Sequence, residues 1–377
     1  GDPIPGTYAA DEEVLELAAA MRRAGRGVFE LIPGGTVGDL AVLGGEHTTL
    51  EQEVALMDKV SHVSQRPVTF TLVQNADHRS AWRDVLSRIE QCNANGARLY
   101  PQVASRPIGL VTNIQTYHMF QRRETYMKLA RLPLPERLAE MRKPDVRAAI
   151  LAERDISSGK AGMMANANTI FRRAAPNLYE LDLPIDYEPT SDKRFGERAK
   201  AAGQTVEEFM YDFLIGNDGR NFAIQLGANY YNGNFDVIRD MLLHPDTITG
   251  LSDAGAHVNL IFDGVAPTYQ MIHWARDRTR GEGLPLEFII AKQTKRNADL
   301  YGMTDRGSLE VGKRADINVI DFERLSLGEL EVRSDLPAGG TRILQPASGY
   351  LATFVNGVQT RKDDVDTGAR PGRLVRS

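Results

Sequence analysis

The sequence predicts an α/β fold built on a parallel sheet, with a smaller β unit toward the carboxyl end. Three observations carry that prediction. Short apolar runs alternate with helix-sized segments over the first hundred residues, the rhythm returns near Thr247, and after Thr304 the chain becomes turn, strand, turn, strand. Strands separated by helical segments need crossovers, and these wrap right-handed into either a doubly wound sheet or a barrel. Periodicity leaves that choice open.

Residues 10–25 carry Asp11, Glu12 and Glu13 in a first turn, Arg22 and Arg23 in a last turn and Gly25 as a stop. That charge order complements a helix dipole. Gly27-Val28-Phe29-Glu30-Leu31-Ile32 follows, ended by Pro33-Gly34-Gly35, and reads as a strand covered on both faces. The pair then repeats: a helix over 50–64 with a strand over 68–74, and a helix over 81–95, stopped by Gly96, with a strand over 98–103. Between Arg106 and Asp246 the rhythm stops. Helix-like pieces at 134–141 and 205–214 and a weak β signal at 178–185 read as an insertion laid over the sheet. Thr247 to His257 is a strand running into a turn, with helices expected over 267–278 and 286–301. The domains expected are therefore an α/β body over 1–303, interrupted at about 106–246, and a β unit with tail over 304–377.

Composition excludes several classes. Lys plus Arg number 45 against 50 Asp plus Glu, a formal charge of −5, which argues against a nucleic-acid binder. No apolar run approaches the ~18 residues that span a bilayer, so no membrane partner is expected. Gly1 to Gly6 has neither a basic n-region nor an apolar stretch. The single cysteine, Cys92, allows no internal disulfide, so a cytoplasmic location is the default and an inert thiol the plain reading. Gly34-Gly35 and Gly44-Gly45 lack phosphate-loop spacing. Tyr211, Phe213, Tyr230 and Tyr231 suit packing better than an acyl pocket.

Asp253 is the residue whose setting points to chemistry. It ends a core strand and is followed by Ala254, Gly255 and Ala256, which leave a carboxylate accessible where parallel α/β folds place catalytic groups. His257, four residues on, has the chemistry to donate to an oxyanion or bind a metal, and equally to cap a helix or hold the loop.

Gly250-Leu251-Ser252-Asp253-Ala254-Gly255-Ala256-His257, the block Gly312-Lys313-Arg314-Ala315-Asp316-Ile317-Asn318-Val319-Ile320-Asp321, Val355-Asn356-Gly357-Val358 and the terminal Gly368-Ala369-Arg370-Pro371-Gly372-Arg373 together resemble the amidohydrolase superfamily, most closely its D-aminoacylase (N-acyl-D-amino-acid deacylase) branch. The glycine-lysine block fixes the superfamily better than the substrate. The resemblance implies the later strands of a distorted TIM-like (β/α)8 barrel, a small β-sandwich shared between the chain termini, and a metal centre, zinc or another divalent ion, at the strand carboxyl ends. Such a barrel needs eight strands and about 250 residues, whereas four convincing core strands are read here. The family's first-strand His-x-His pair is absent, and the chain starts without Met. A carboxyl-terminal portion is expected, partnered by an amino-terminal half of the same enzyme or by tight oligomerisation.

The family's last-strand aspartate matches Asp253, which would bind metal or take the proton of the attacking water. The two histidines that relatives place at the ends of the fifth and sixth strands do not match: Ile32 and Leu72 or Val73 stand there. Glu30, Gln74, Asp77 and His78 are substitutes in principle, each better explained by an ion pair or a solvated loop. Amide hydrolysis needs an activated water and a base that relays its proton to the leaving amine. The expected substrate is a small N-acyl amino acid or related amide, its carboxylate met by a cation drawn from Arg106, Arg220, Lys292 and Arg296. The rival expectation is a non-catalytic subunit that has lost its metal cage and serves assembly or ligand binding.

Overall fold

The computed structural model describes residues 6, 9–34, 49–76, 78–160, 164–252 and 255–375. Asp77, Asp253 and Ala254 lie outside the described residues.

The four strands read from the sequence form one sheet. β1 (Phe29–Leu31), β2 (Val68–Thr71), β3 (Leu99–Val103) and β7 (Ile248–Thr249) are joined in the order β1-β2-β3-β7, all parallel. Parallel neighbours require the helices read between them: Asp11–Ala24 precedes β1, Leu50–Ser64 links β1 to β2, and Ala81–Ala94 links β2 to β3. Thr49 opens the second helix by a capping box, accepting from the Gln52 amide while the Gln52 side chain accepts from its own. Val54, Met57, Val60, Val85, Leu86 and Ile89 pack these helices onto Val68, Phe70, Leu72, Leu99 and Val103 in the main core.

Side chains alternate along a strand, so the opposite sheet face presents Glu30, Thr69, Thr71 and Gln102. Gln102 Nε2 donates to Glu30 Oε1 at 2.8 Å. This differs from the expectation of a first strand covered on both faces. β1 is a sheet edge among the described residues, its Glu30 is exposed, and Ile32 just beyond it is 68% exposed. The described residues contribute four parallel strands and no closed ring.

The segment after Arg106 has a core of its own. β4 (Gly109–Thr112), β5 (Leu178–Glu180) and β6 (Ala223–Leu226) make an antiparallel sheet in the order β4-β6-β5, backed by short helices around Phe120, Phe171, Phe195, Tyr211 and Leu214. Tyr211 packs edge-to-face on Phe120, so the packing reading of that aromatic holds. Two later helices, starting at Ala266 and Leu286, each run through a five-residue π turn, at His273–Asp277 and Lys292–Arg296.

The carboxyl-terminal unit consists of a four-stranded antiparallel sheet and two strand pairs. β8 (Ile317–Ile320), β13 (Tyr350–Val355), β14 (Val358–Lys362) and β15 (Val365–Asp366) lie in the order β15-β14-β13-β8. β9 (Ser326–Leu327) pairs with β12 (Ala347–Ser348), and β10 (Glu331–Leu336) with β11 (Gly340–Leu344). Leu325, Leu330 and Ile343 belong to the main core, so this unit packs directly on the α/β body.

Candidate active site at the strand carboxyl ends

The loop that contains Asp253 leaves the carboxyl end of β7, an edge of the parallel sheet among the described residues. Its start is fixed closely. Gly250 donates its amide to the Val103 carbonyl at 3.1 Å, and a Cβ on Gly250 would stand 2.5 Å from Gln102 Oε1, so a side chain here would have to displace the Gln102 amide that bonds Glu30. Leu251, Gly255 and His257 all have positive φ, 60°, 94° and 45°. Left-handed backbone at Leu251 and His257 is costly for residues with a Cβ, and such strain gathers at functional loops. The His257 side chain is exposed, while its carbonyl accepts from the Leu260 and Ile261 amides at 2.7 and 3.1 Å.

Arg106 follows β3 and is 4% exposed. It forms an ion pair with Asp263, at the far end of the same loop. Its guanidinium lies over three rings, 4.4 Å from the Phe262 centroid, 5.0 Å from Tyr187 and 5.5 Å from Tyr269. Burial alone would disfavour the charge, and Asp263 more than reverses this, holding Arg106 cationic above its ordinary range. Arg106 Nη1 and Tyr269 Oη are buried without a hydrogen-bond partner among the described residues.

Arg220 is not brought to this place. It is exposed, bonds to the carbonyl and side chain of Asn217, and precedes the Ala223 end of β6. Ala223 pairs with Thr112, so Arg220 stands at the end of that sheet remote from Gly109 and Arg106. Lys292 is fully buried and donates to the His244 and Thr247 carbonyls and to Thr247 Oγ1, at 3.2, 2.8 and 2.5 Å. Arg296 donates to the Pro245 carbonyl at 2.7 Å. Both side chains secure the amino end of β7, opposite the Asp253 loop, where parallel α/β folds keep structural residues. Burial lowers the Lys292 amine to about 7.

Residues weighed as substitute metal ligands do not converge. Gln74 is buried and ties the end of β2 to the insertion: its amide donates to Asn229 Oδ1 at 2.6 Å, its carbonyl accepts from the Asn229 amide at 3.1 Å, and its Nε2 donates to Asn232 Oδ1 at 3.3 Å. His78 is exposed on a loop, and Glu30 is taken up by Gln102. Leu72 and Val73 are buried apolar residues. No group of three metal-binding side chains exists among the described residues, which therefore do not form a metal site by themselves. Sequence reasoning missed Asp263, the partner of Arg106. The available signal was an acid ten residues beyond Asp253 in the same loop.

The model of an amidohydrolase family matches residues 4–361. The chain belongs to that amidohydrolase family. Among solved structures it is similar to a D-aminoacylase mutant in complex with copper chloride, at 16% identity and a TM-score of 0.53, covering all of this chain and 61% of that one. It is also similar to N-acyl-D-glutamate deacylase from Bordetella bronchiseptica, complexed with zinc and a phosphonate mimic of the tetrahedral intermediate. There the identity is 15% and the TM-score 0.50, with 99% of this chain and 60% of that one covered. These likenesses are likenesses of fold, and this amidohydrolase spans roughly three fifths of the length of either neighbour. No curated protein matches it.

Proposed function

We propose that this amidohydrolase hydrolyses a carbon–nitrogen bond outside peptides, in a small N-acyl amino acid of the D-aminoacylase type, at the loop that leaves β7. The observation that supports this most is the position of that loop. It rises from the carboxyl end of a parallel strand, is pinned to β3 by Gly250 and Asp263, and bears strained backbone on either side of Asp253. Asp253 is assigned as the base: it takes a proton from the attacking water as the new carbon–oxygen bond forms, then passes it to the leaving nitrogen as the carbon–nitrogen bond breaks. His257 is assigned to the developing oxyanion, and Arg106 Nη1 with Tyr269 Oη, both without hydrogen-bond partners among the described residues, to the substrate carboxylate.

A divalent ion such as zinc would supply Lewis-acid activation of the water. Of its ligands this chain offers Asp253, and the others would come from an amino-terminal half of the enzyme or from a second subunit. The test is hydrolysis of a panel of N-acyl D- and L-amino acids by the chain with and without that half, after dialysis against zinc. Turnover of N-acyl D-amino acids only in the completed protein is expected, and no turnover of any member by the completed protein would overturn the reading.

The apolar Leu72 and Val73, where relatives place a histidine, favour a second reading: a non-catalytic subunit retained for assembly or ligand binding. Elemental analysis separates the two, because near-stoichiometric zinc in the completed protein contradicts the second.

A further inference from the structure

From the β10–β11 hairpin we infer that the carboxyl-terminal unit is a positioning device for the hydrolytic loop, acting through Thr341 and Ile343 on the segment that follows His257. The hairpin is a two-stranded sheet, so the outer edge of β11 has no strand partner among the described residues. That edge reaches the loop. The Ile343 amide donates to the Val258 carbonyl at 2.8 Å, and Thr341 Oγ1 donates to Asn259 Oδ1 at 2.9 Å, across 82 residues of chain.

Ile343 is 4% exposed within the main core, which gives the contact a rigid base. Arg342, between the two contact residues, turns to the other face and grips Asp335 through two bonds of 2.7 Å, bracing β11 against β10. The loop is anchored independently at Gly250 by β3, at Leu260 by the Val111 amide at 2.8 Å, and at Asp263 by Arg106. Between Gly250 and Leu260, the hairpin supplies the hold at Val258 and Asn259, the two residues directly after His257. A left-handed His257 persists only if the backbone on both sides is held. The hairpin meets that requirement on the carboxyl side of His257 without presenting a side chain to substrate, so Thr341 is a positioning residue.

The inference rests on the hydrolytic reading for its consequence and on amide exchange for its test. In the full 377-residue chain, Thr341→Val is expected to speed exchange of the amides of residues 255–262 about fivefold, the effect of losing one net hydrogen bond. The melting temperature should stay within about 1 °C, and Thr341→Ser should restore slow exchange. Asn259→Ala removes the other partner and should act alike. In the completed enzyme, Thr341→Val lowers kcat with KM unchanged, and the serine variant recovers it. Unchanged exchange at 255–262 overturns the inference, as does acceleration spread over the whole β unit with a falling melting temperature. An unaltered kcat despite faster exchange overturns it too. If the wild-type completed enzyme turns over nothing, the hydrolytic reading fails and the exchange result alone decides the positioning role.

Discussion

Removing the Asp263 carboxylate is expected to destabilise the protein by several kcal/mol, because it leaves the Arg106 guanidinium charged in a place it cannot leave. The pair is buried on both sides, with side-chain exposures of 4% for Arg106 and 12% for Asp263, so solvent offers little screening. Breaking a buried pair from one side costs about 3–5 kcal/mol. An unfolding entropy of about 2.1 cal/mol/K per residue amounts to roughly 0.8 kcal/mol/K for a chain of this length, so Asp263→Asn should lower the melting temperature by about 4–6 °C. Arg106→Met should also destabilise, by removing the cation that Asp263 faces in a largely buried setting. The double variant should recover most of the loss, since an apolar side chain among Phe262, Tyr187 and Tyr269 removes the charge together with its need for a partner. Differential scanning calorimetry on the four proteins completes the cycle. Additive losses, or single variants melting within 1 °C of wild type, would refute the claim that this pair fastens the loop to β3.

Acid lability is expected from two buried histidines. Burial lowers His118 to about 3 and His273 to about 4, so both stay neutral in the fold while the unfolded chain protonates them near the ordinary value. Stability is then full above pH 6.5 and falls as pH drops toward those values, by up to about 2 kcal/mol per histidine between pH 6.5 and 5. Urea titrations of wild type and His273→Phe at both pH values check this, the variant showing the smaller loss. Lys292 acts at higher pH: its amine, lowered to about 7, is neutral in the fold where the unfolded chain still binds a proton. Stability should therefore rise from pH 7 to pH 9, by up to about 2 kcal/mol, and Lys292→Met should flatten the rise. In the completed enzyme, Arg106→Met should raise KM for N-acyl amino acids about tenfold more than for the corresponding amides that lack a carboxylate, measured by initial rates.

The parts of the fold legible in the sequence are those whose signals are local. The helix over Leu50–Ser64 has the bounds read for it, because Thr49 and Gln52 set its start, and all four strands of the parallel sheet were readable, three as apolar runs alternating with helices and the fourth as a strand running into a turn. β4 and β6 escaped, since four residues such as Gly109–Thr112 carry too little periodicity to separate strand from loop. An apolar run also says nothing about edges, which is why Phe29 to Ile32 read as doubly covered and stands half-open. At the candidate site, Asp253 drew attention from its place after a strand, whereas Arg106 was one of four cations that the sequence did not separate. Asp263, 157 residues from Arg106, and Thr341, 82 from Asn259, were not, because only the fold brings such partners together.

The most direct test concerns the Asp253 side chain itself. Asp253→Asn keeps the size of the residue and removes its basicity, so in the completed, zinc-loaded enzyme kcat for an N-acyl amino acid should fall by about 10²–10⁴ with an unchanged melting temperature. Turnover equal to wild type would contradict the account.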